Sequence, residues 1–107
     1  MTGPYVITVE FRLHRASDMP AFRALIDENA RQSCALEPGC HRFDVLVPKG
    51  VADAILLYEI YDSRAAFEAH LQAGHFLDFD RASAALVLSK LVSEFTLACE
   101  GSRAQTR

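Results

Sequence analysis

The sequence predicts an α+β fold of the ferredoxin-like type: order βαββαβ, four antiparallel strands and helices on one face. Three observations carry that prediction. Tyr5, Ile7, Val9, Phe11 and Leu13 alternate with Val6, Thr8, Glu10 and Arg12, the period of a strand. Phe22, Leu25, Ile26, Ala30, Ser33 and Leu36 recur at helical spacing. The same strand–helix–strand alternation then follows a second time, from Cys40 onward. A chain of 107 residues is sized for one domain. That domain is expected over residues 1–100, with residues 101–107 a polar, frayed tail.

Each element has its own punctuation. After the first strand, Ser17 or Asp18 can cap a helix with Pro20 in its first turn. Glu37-Pro38-Gly39 ends it, since Pro cannot continue the ladder and Gly can serve as a C-terminal cap. A second strand is expected over residues 40–47 and a third over 54–61, joined by a hairpin-type loop through Pro48 and Gly50. Asp62-Ser63 caps a short helix from Arg64 to about Gln72. Ala73-Gly74 breaks it, a further helix runs from about Phe76 to Ser89, and the last strand spans about Leu91 to Cys99.

The helices cover only one face of such a sheet. Yet Ala54-Ile55-Leu56-Leu57-Tyr58 is apolar on both faces, where a strand wetted on one side would alternate. The cheapest cover in a short chain is a second copy about a two-fold axis. A homodimer through the sheet face is expected.

Composition closes several function classes. Half the residues are hydrophobic and 23% charged, which excludes disorder. A net charge of −3 gives no footprint for nucleic acid. No apolar run reaches the length of a membrane span, and the N-terminus lacks the regions of a signal peptide, so a cytoplasmic domain is expected. Cys34, Cys40 and Cys99 are an odd number without CxxC spacing, and read as reduced structural thiols. There is no GxGxxG, Walker loop, HExxH or GxSxG.

Polar residues interrupt the apolar stripes. Asn29 falls in the middle of the stripe carrying Phe22 and Ile26, where a buried amide needs partners. It either specifies the fold by hydrogen bonding or points into a ligand cavity. His70 sits in the apolar arc of the second helix with Phe67 and Leu71. It is either a satisfied core histidine or the chain's best general acid or base. Arg42 and Asp44 share one face of the second strand, and Glu59 and Tyr61 one face of the third. These form either cross-strand pairs at an interface or the polar wall of a pocket walled by Phe22, Phe67 and Phe76. His75 lies five residues after His70, beyond a glycine, with no convincing metal spacing around it, so no metal site is expected.

Taken in order, Glu37-Pro38-Gly39-Cys40, Arg42-Phe43-Asp44-Val45, Tyr58-Glu59-Ile60-Tyr61, Ala66-Phe67 with His70, and His75-Phe76 resemble the antibiotic biosynthesis monooxygenase family. The resemblance runs from about Tyr5 to Cys99 and implies a dimeric α/β barrel that holds small hydrophobic or phenolic ligands. It implies one of several activities. Some members are cofactor-independent monooxygenases of aromatic polyketides or quinols, and one branch isomerises a phosphorylated autoinducer. A haem-degrading branch uses an Asn, a Trp and an axial His, and this chain has no Trp. The chain also departs from the family before His75, where relatives often carry a small hydroxyl residue and Pro and this one has Ala73-Gly74.

The expected function is therefore cofactor-free oxidation of a small phenolic or quinol ring by dioxygen. His70 is the expected base or proton shuttle, and Asn29 the oxygen or carbonyl anchor. Glu59 is the third expected catalytic residue, orienting the ring oxygens and next in line as base. Arg42, Asp44, Tyr61 and His75 would contact substrate, against apolar walls from Phe22, Phe67 and Phe76. The alternatives are an isomerase of a phosphorylated signalling molecule, with Arg42 on the phosphate and His70 and Glu59 moving the proton, or a non-catalytic ligand-binding dimer.

Overall fold

The computed structural model describes residues 3–101. Four strands, β1 (Tyr5–Leu13), β2 (Cys40–Leu46), β3 (Ala54–Tyr61) and β4 (Val87–Thr96), form one antiparallel sheet in the order β2-β3-β1-β4. Three helices, α1 (Met19–Leu36), α2 (Arg64–His70) and α3 (Gly74–Ser83), pack against one face of it. This is the ferredoxin-like α+β fold the alternation predicts.

The pleat divides the residues between two faces. Ile7, Val9, Phe11 and Leu13 of β1 and Ile55, Leu57 and Tyr61 of β3 are buried toward the helices, where they meet Phe22 and Ile26 of α1, Phe67 of α2 and Phe79 of α3. Phe11, Phe22 and Phe79 close on one another edge to face, with ring centroids 5.1–6.0 Å apart. The opposite face carries exposed apolar side chains: Leu46, Leu91 and Phe95 are 43%, 57% and 49% accessible.

A register shift between Cys40 and Arg42 in β2 decides which side chains reach the interior. Phe43 pairs with Glu59 and turns toward the helices, so Arg42 and Asp44 turn away.

The boundaries differ from the sequence expectation at the C-terminal end. α3 stops at Ser83, a 3-10 turn spans Ala84–Leu86, and β4 begins at Val87 rather than near Leu91. The sheet explains the shift: Val87 pairs with Leu13, and β4 must start there to hydrogen-bond the whole length of β1. The expected tail, residues 101–107, lies outside the described residues apart from Gly101. Among the described residues no helix is long and apolar enough to cross a membrane.

Local chemistry sets the other ends. Ser63 accepts a hydrogen bond from the Ala66 amide at 3.2 Å and caps α2 as expected. Asp18 stands at the start of α1 with no side-chain cap bond, and Pro20 takes the first turn. Gly50 has φ 76°, the left-handed conformation its turn demands. Gly39 does not: its role is space, not a left-handed cap. A Cβ there would come within 2.7 Å of the Ala66 Cβ, so Gly39 lets the start of β2 lie against α2.

Gly39→Ala should therefore destabilise by about 1–3 kcal/mol, the usual range for overpacking. Adding Ala66→Gly should recover all but about 1 kcal/mol of helix propensity. Chemical denaturation of the parent and the two variants measures both, and an unaffected single variant would contradict the packing.

Candidate active site

A pocket opens between the helical layer and the sheet. Asn29, Phe43, Leu57, Glu59, His70 and Phe79 form its buried floor, and the partly exposed Leu71, Phe76, Lys90 and Val92 form its mouth. Its free volume is about 30 Å³. That holds one water or two and no aromatic ring, so a ligand must displace the mouth side chains.

His70, at the end of α2, is 3% accessible and ringed by Phe43, Tyr61, Phe67 and Phe76 at centroid distances of 5.1–6.5 Å. Its Nδ1 lies 2.8 Å from Glu37 Oε2, and the same oxygen accepts from His75 Nε2. Ser33 Oγ, which donates to the Asn29 carbonyl at 2.8 Å, stands 3.5 Å from Nδ1. With Nδ1–H donated to a carboxylate, Nε2 is the unprotonated nitrogen left for the pocket. Burial lowers the His70 pKa, and the Glu37 hydrogen bond and charge oppose that only in part. The ring is held neutral, with its free nitrogen able to accept a proton.

Glu59 is the second buried ionisable group. It is 2% accessible on β3 and accepts a 2.6 Å hydrogen bond from the Tyr61 hydroxyl. Burial pushes its pKa up to about 7, against the lowering effects of the Tyr61 bond and the Lys90 charge. Near neutrality it can give or take a proton. Tyr61 is driven well above the ordinary phenol range, first by burial and then by Glu59, and stays protonated.

Lys90 on β4 brings a positive charge to the mouth, with Nζ 5.4 Å from the centroid of Phe76 and 5.6 Å from that of Phe11. Asn29 Oδ1 is buried with no partner among the described residues. A polar ligand atom or water would satisfy it.

The structure thus brings together His70, Asn29, Glu59, Phe67 and Phe76, with Tyr61 behind Glu59. It does not bring in Arg42 and Asp44, which pair with each other at 2.8 Å on the far face of the sheet. Phe22 is core packing behind the pocket rather than its wall, since Phe11 and Phe79 stand in front of it. His75 meets Glu37 and lines an outer groove between α1 and α3. Sequence reasoning missed Glu37, Ser33 and Lys90. Glu37 was legible only as part of a helix stop, and Lys90 fell between the expected last helix and last strand.

Comparison with known proteins gives the same architecture a family. The sequence profile described as antibiotic biosynthesis monooxygenase matches residues 4–82. The chain belongs to that family. It is 32% identical over 98 residues to a Mycobacterium tuberculosis protein named Putative monooxygenase Rv0793, covering 92% of this chain and 93% of that one. The solved structure of Rv0793 superposes with a TM-score of 0.83 at 25% identity, over 94% of this chain and all of the other. A structure named as a putative antibiotic biosynthesis monooxygenase from Nitrosomonas europaea superposes with a TM-score of 0.85 at 25% identity, covering 92% and 93%.

The Glu59 pKa makes a stability prediction. Folded Glu59 keeps its proton up to about pH 7, whereas the unfolded side chain loses it near 4.5. The folded state binds the extra proton across that window, so stability falls by about 3 kcal/mol as pH rises through it and then levels. Glu59→Gln mimics the protonated carboxyl. Its gain in melting temperature over the parent should be near zero at pH 4 and several degrees at pH 8; a gain independent of pH would contradict the buried carboxyl.

Proposed function

We propose that this protein is a monooxygenase that oxidises a small electron-rich phenolic or quinol ring with dioxygen, without flavin or metal. The observation that carries the reading is His70: buried, neutral, with Nδ1 engaged by Glu37 and Nε2 left for an apolar pocket. Family membership and the names of its relatives point to the same class.

The chemistry follows from the ring. Proton loss to His70 Nε2 gives a phenolate, which is electron-rich enough to reduce dioxygen itself. For a hydroquinone the balance is one ring plus one O₂ giving one hydroxyquinone and one water. One oxygen atom enters the ring at a C–H position, and the other leaves as water with two hydrogens from the ring and its hydroxyls. Lys90 would offset the anion during that exchange, and Asn29 would hold an oxygen. Glu59, near its midpoint at neutral pH, would return a proton as the O–O bond breaks. The apolar walls would keep the radical pair from water.

The phosphate-handling alternative has less support. Arg42, its natural phosphate anchor, is tied to Asp44 on the opposite face, and the pocket lining is mostly apolar.

The same reading takes the protein as a homodimer through the open sheet face and assigns it to the cytoplasm. Leu46, Leu91 and Phe95 are exposed there, and among the described residues no element covers them. Free thiols at Cys34, Cys40 and Cys99 suit a reducing compartment. Light scattering at micromolar concentration should give about twice the 11.9 kDa chain mass; a stable monomer would sink the dimer.

An oxygen electrode and a panel of hydroquinones and dihydroxynaphthalenes test the activity. At least one should drive stoichiometric O₂ uptake, and none doing so would overturn the reading. His70→Gln should lower kcat by about 10²- to 10⁴-fold, the usual range for a positioned base, with the melting temperature nearly kept. Normal turnover in that variant would remove His70 from the mechanism.

A further inference from the structure

Glu37, His70 and His75 come from three separate places: the C-terminal boundary of α1, the last residue of α2 and the first turn of α3. One donor atom of each lies within 4.8 Å of the other two. Spacing along the chain hides this set, because the carboxylate arrives from another element. We propose that these three residues form a binding site for a borderline divalent cation of the zinc class.

Two imidazoles and a carboxylate are the donor chemistry of that class, and harder cations such as Mg²⁺ and Ca²⁺ prefer all-oxygen sites. A tetrahedral ion about 2.1 Å from each donor needs donors about 3.4 Å apart. The His70–Glu37 separation is 2.8 Å. Opening the His70–Glu37 contact by about 0.6 Å, and the tighter His75–Glu37 contact by about an ångström, would admit the ion.

A second observation points the same way. Glu37 Oε2 accepts from both histidines while Oε1 is buried with no partner among the described residues. An unpaired buried carboxylate oxygen is costly. Bidentate coordination would satisfy it. The residues are also reachable, since Glu37 and His75 keep 13% and 8% of their side-chain surface and His75 lines the groove between α1 and α3. With two imidazoles and both Glu37 oxygens as donors, water or a small anion would enter as a fifth ligand.

Occupancy would reverse the polarity of His70. The metal takes the Nδ1 lone pair, so the single ring proton moves from Nδ1 to Nε2, and the pocket then faces a donor instead of a base. This consequence, and only this one, rests on His70 acting as the base. Metal-loaded and base-competent states exclude each other, and Zn²⁺ would inhibit rather than activate.

Isothermal titration with ZnCl₂ on the metal-free chain tests the site directly. The expected result is one Zn²⁺ per chain, with a rise of several degrees in melting temperature at saturating metal. Affinity should fall at least tenfold in Glu37→Gln and in His75→Asn, both checked for folding by melting in chelator. It should persist in Cys34→Ser, which removes the thiol lying 3.8 Å from Cys40. Absence of one-to-one binding, unchanged affinity in the two ligand variants, or loss in Cys34→Ser would each overturn the site. Stoichiometric binding with undiminished oxygen uptake would keep the site and remove the claim that His70 is the base.

Discussion

One carboxylate oxygen organises the interior of this protein. Glu37 Oε2 receives His70 from α2 and His75 from α3, and its residue sits where α1 gives way to β2. Three helical elements are joined at that atom. The arrangement also fixes which nitrogen of His70 carries a proton, and therefore what the pocket meets. Two opposed effects act on the ring: burial disfavours the imidazolium, and the neighbouring carboxylate favours it. Burial is the larger, so Glu37 orients the ring without charging it.

The sheet supplies the complementary half. Pairing of Phe43 with Glu59 sets an aromatic ring and a carboxyl side by side on the helical face, and the register shift before Arg42 keeps that strand's charges outside. Glu59 survives there because Tyr61 donates to it and because its carboxyl can hold a proton near neutrality. The result is two proton carriers of different kind across a narrow apolar space, with Lys90 at its edge. Such pairs, pushed from their ordinary pKa values by burial, are the physical signature of acid–base sites.

Much of the fold was legible because its signals are local. The alternation in β1, the apolar run of β3 and the Ser63 cap depend on neighbours in sequence, and they appear where expected. The start of β4 was not, because pairing with distant β1 chose Val87 over a helical continuation. The site divides the same way. His70, Asn29 and Glu59 announced themselves as polar residues on apolar faces, and all three line the pocket. Arg42 and Asp44 share a face as read, but which face that is depends on a bulge that composition does not reveal. Glu37 gave no sign, since nothing along the chain shows that a helix-stop carboxylate will reach two histidines more than thirty residues away.

The most direct test of this account is the ionisation of His70 itself. Long-range ¹⁵N NMR of the metal-free protein, titrated from pH 8 to pH 5, reads both its tautomer and its pKa. The account predicts a neutral ring with the proton on Nδ1 and a pKa below the ordinary value of 6.5. A proton on Nε2, or a pKa above 6.5, would mean that Glu37 charges or turns the ring and that the pocket faces no base.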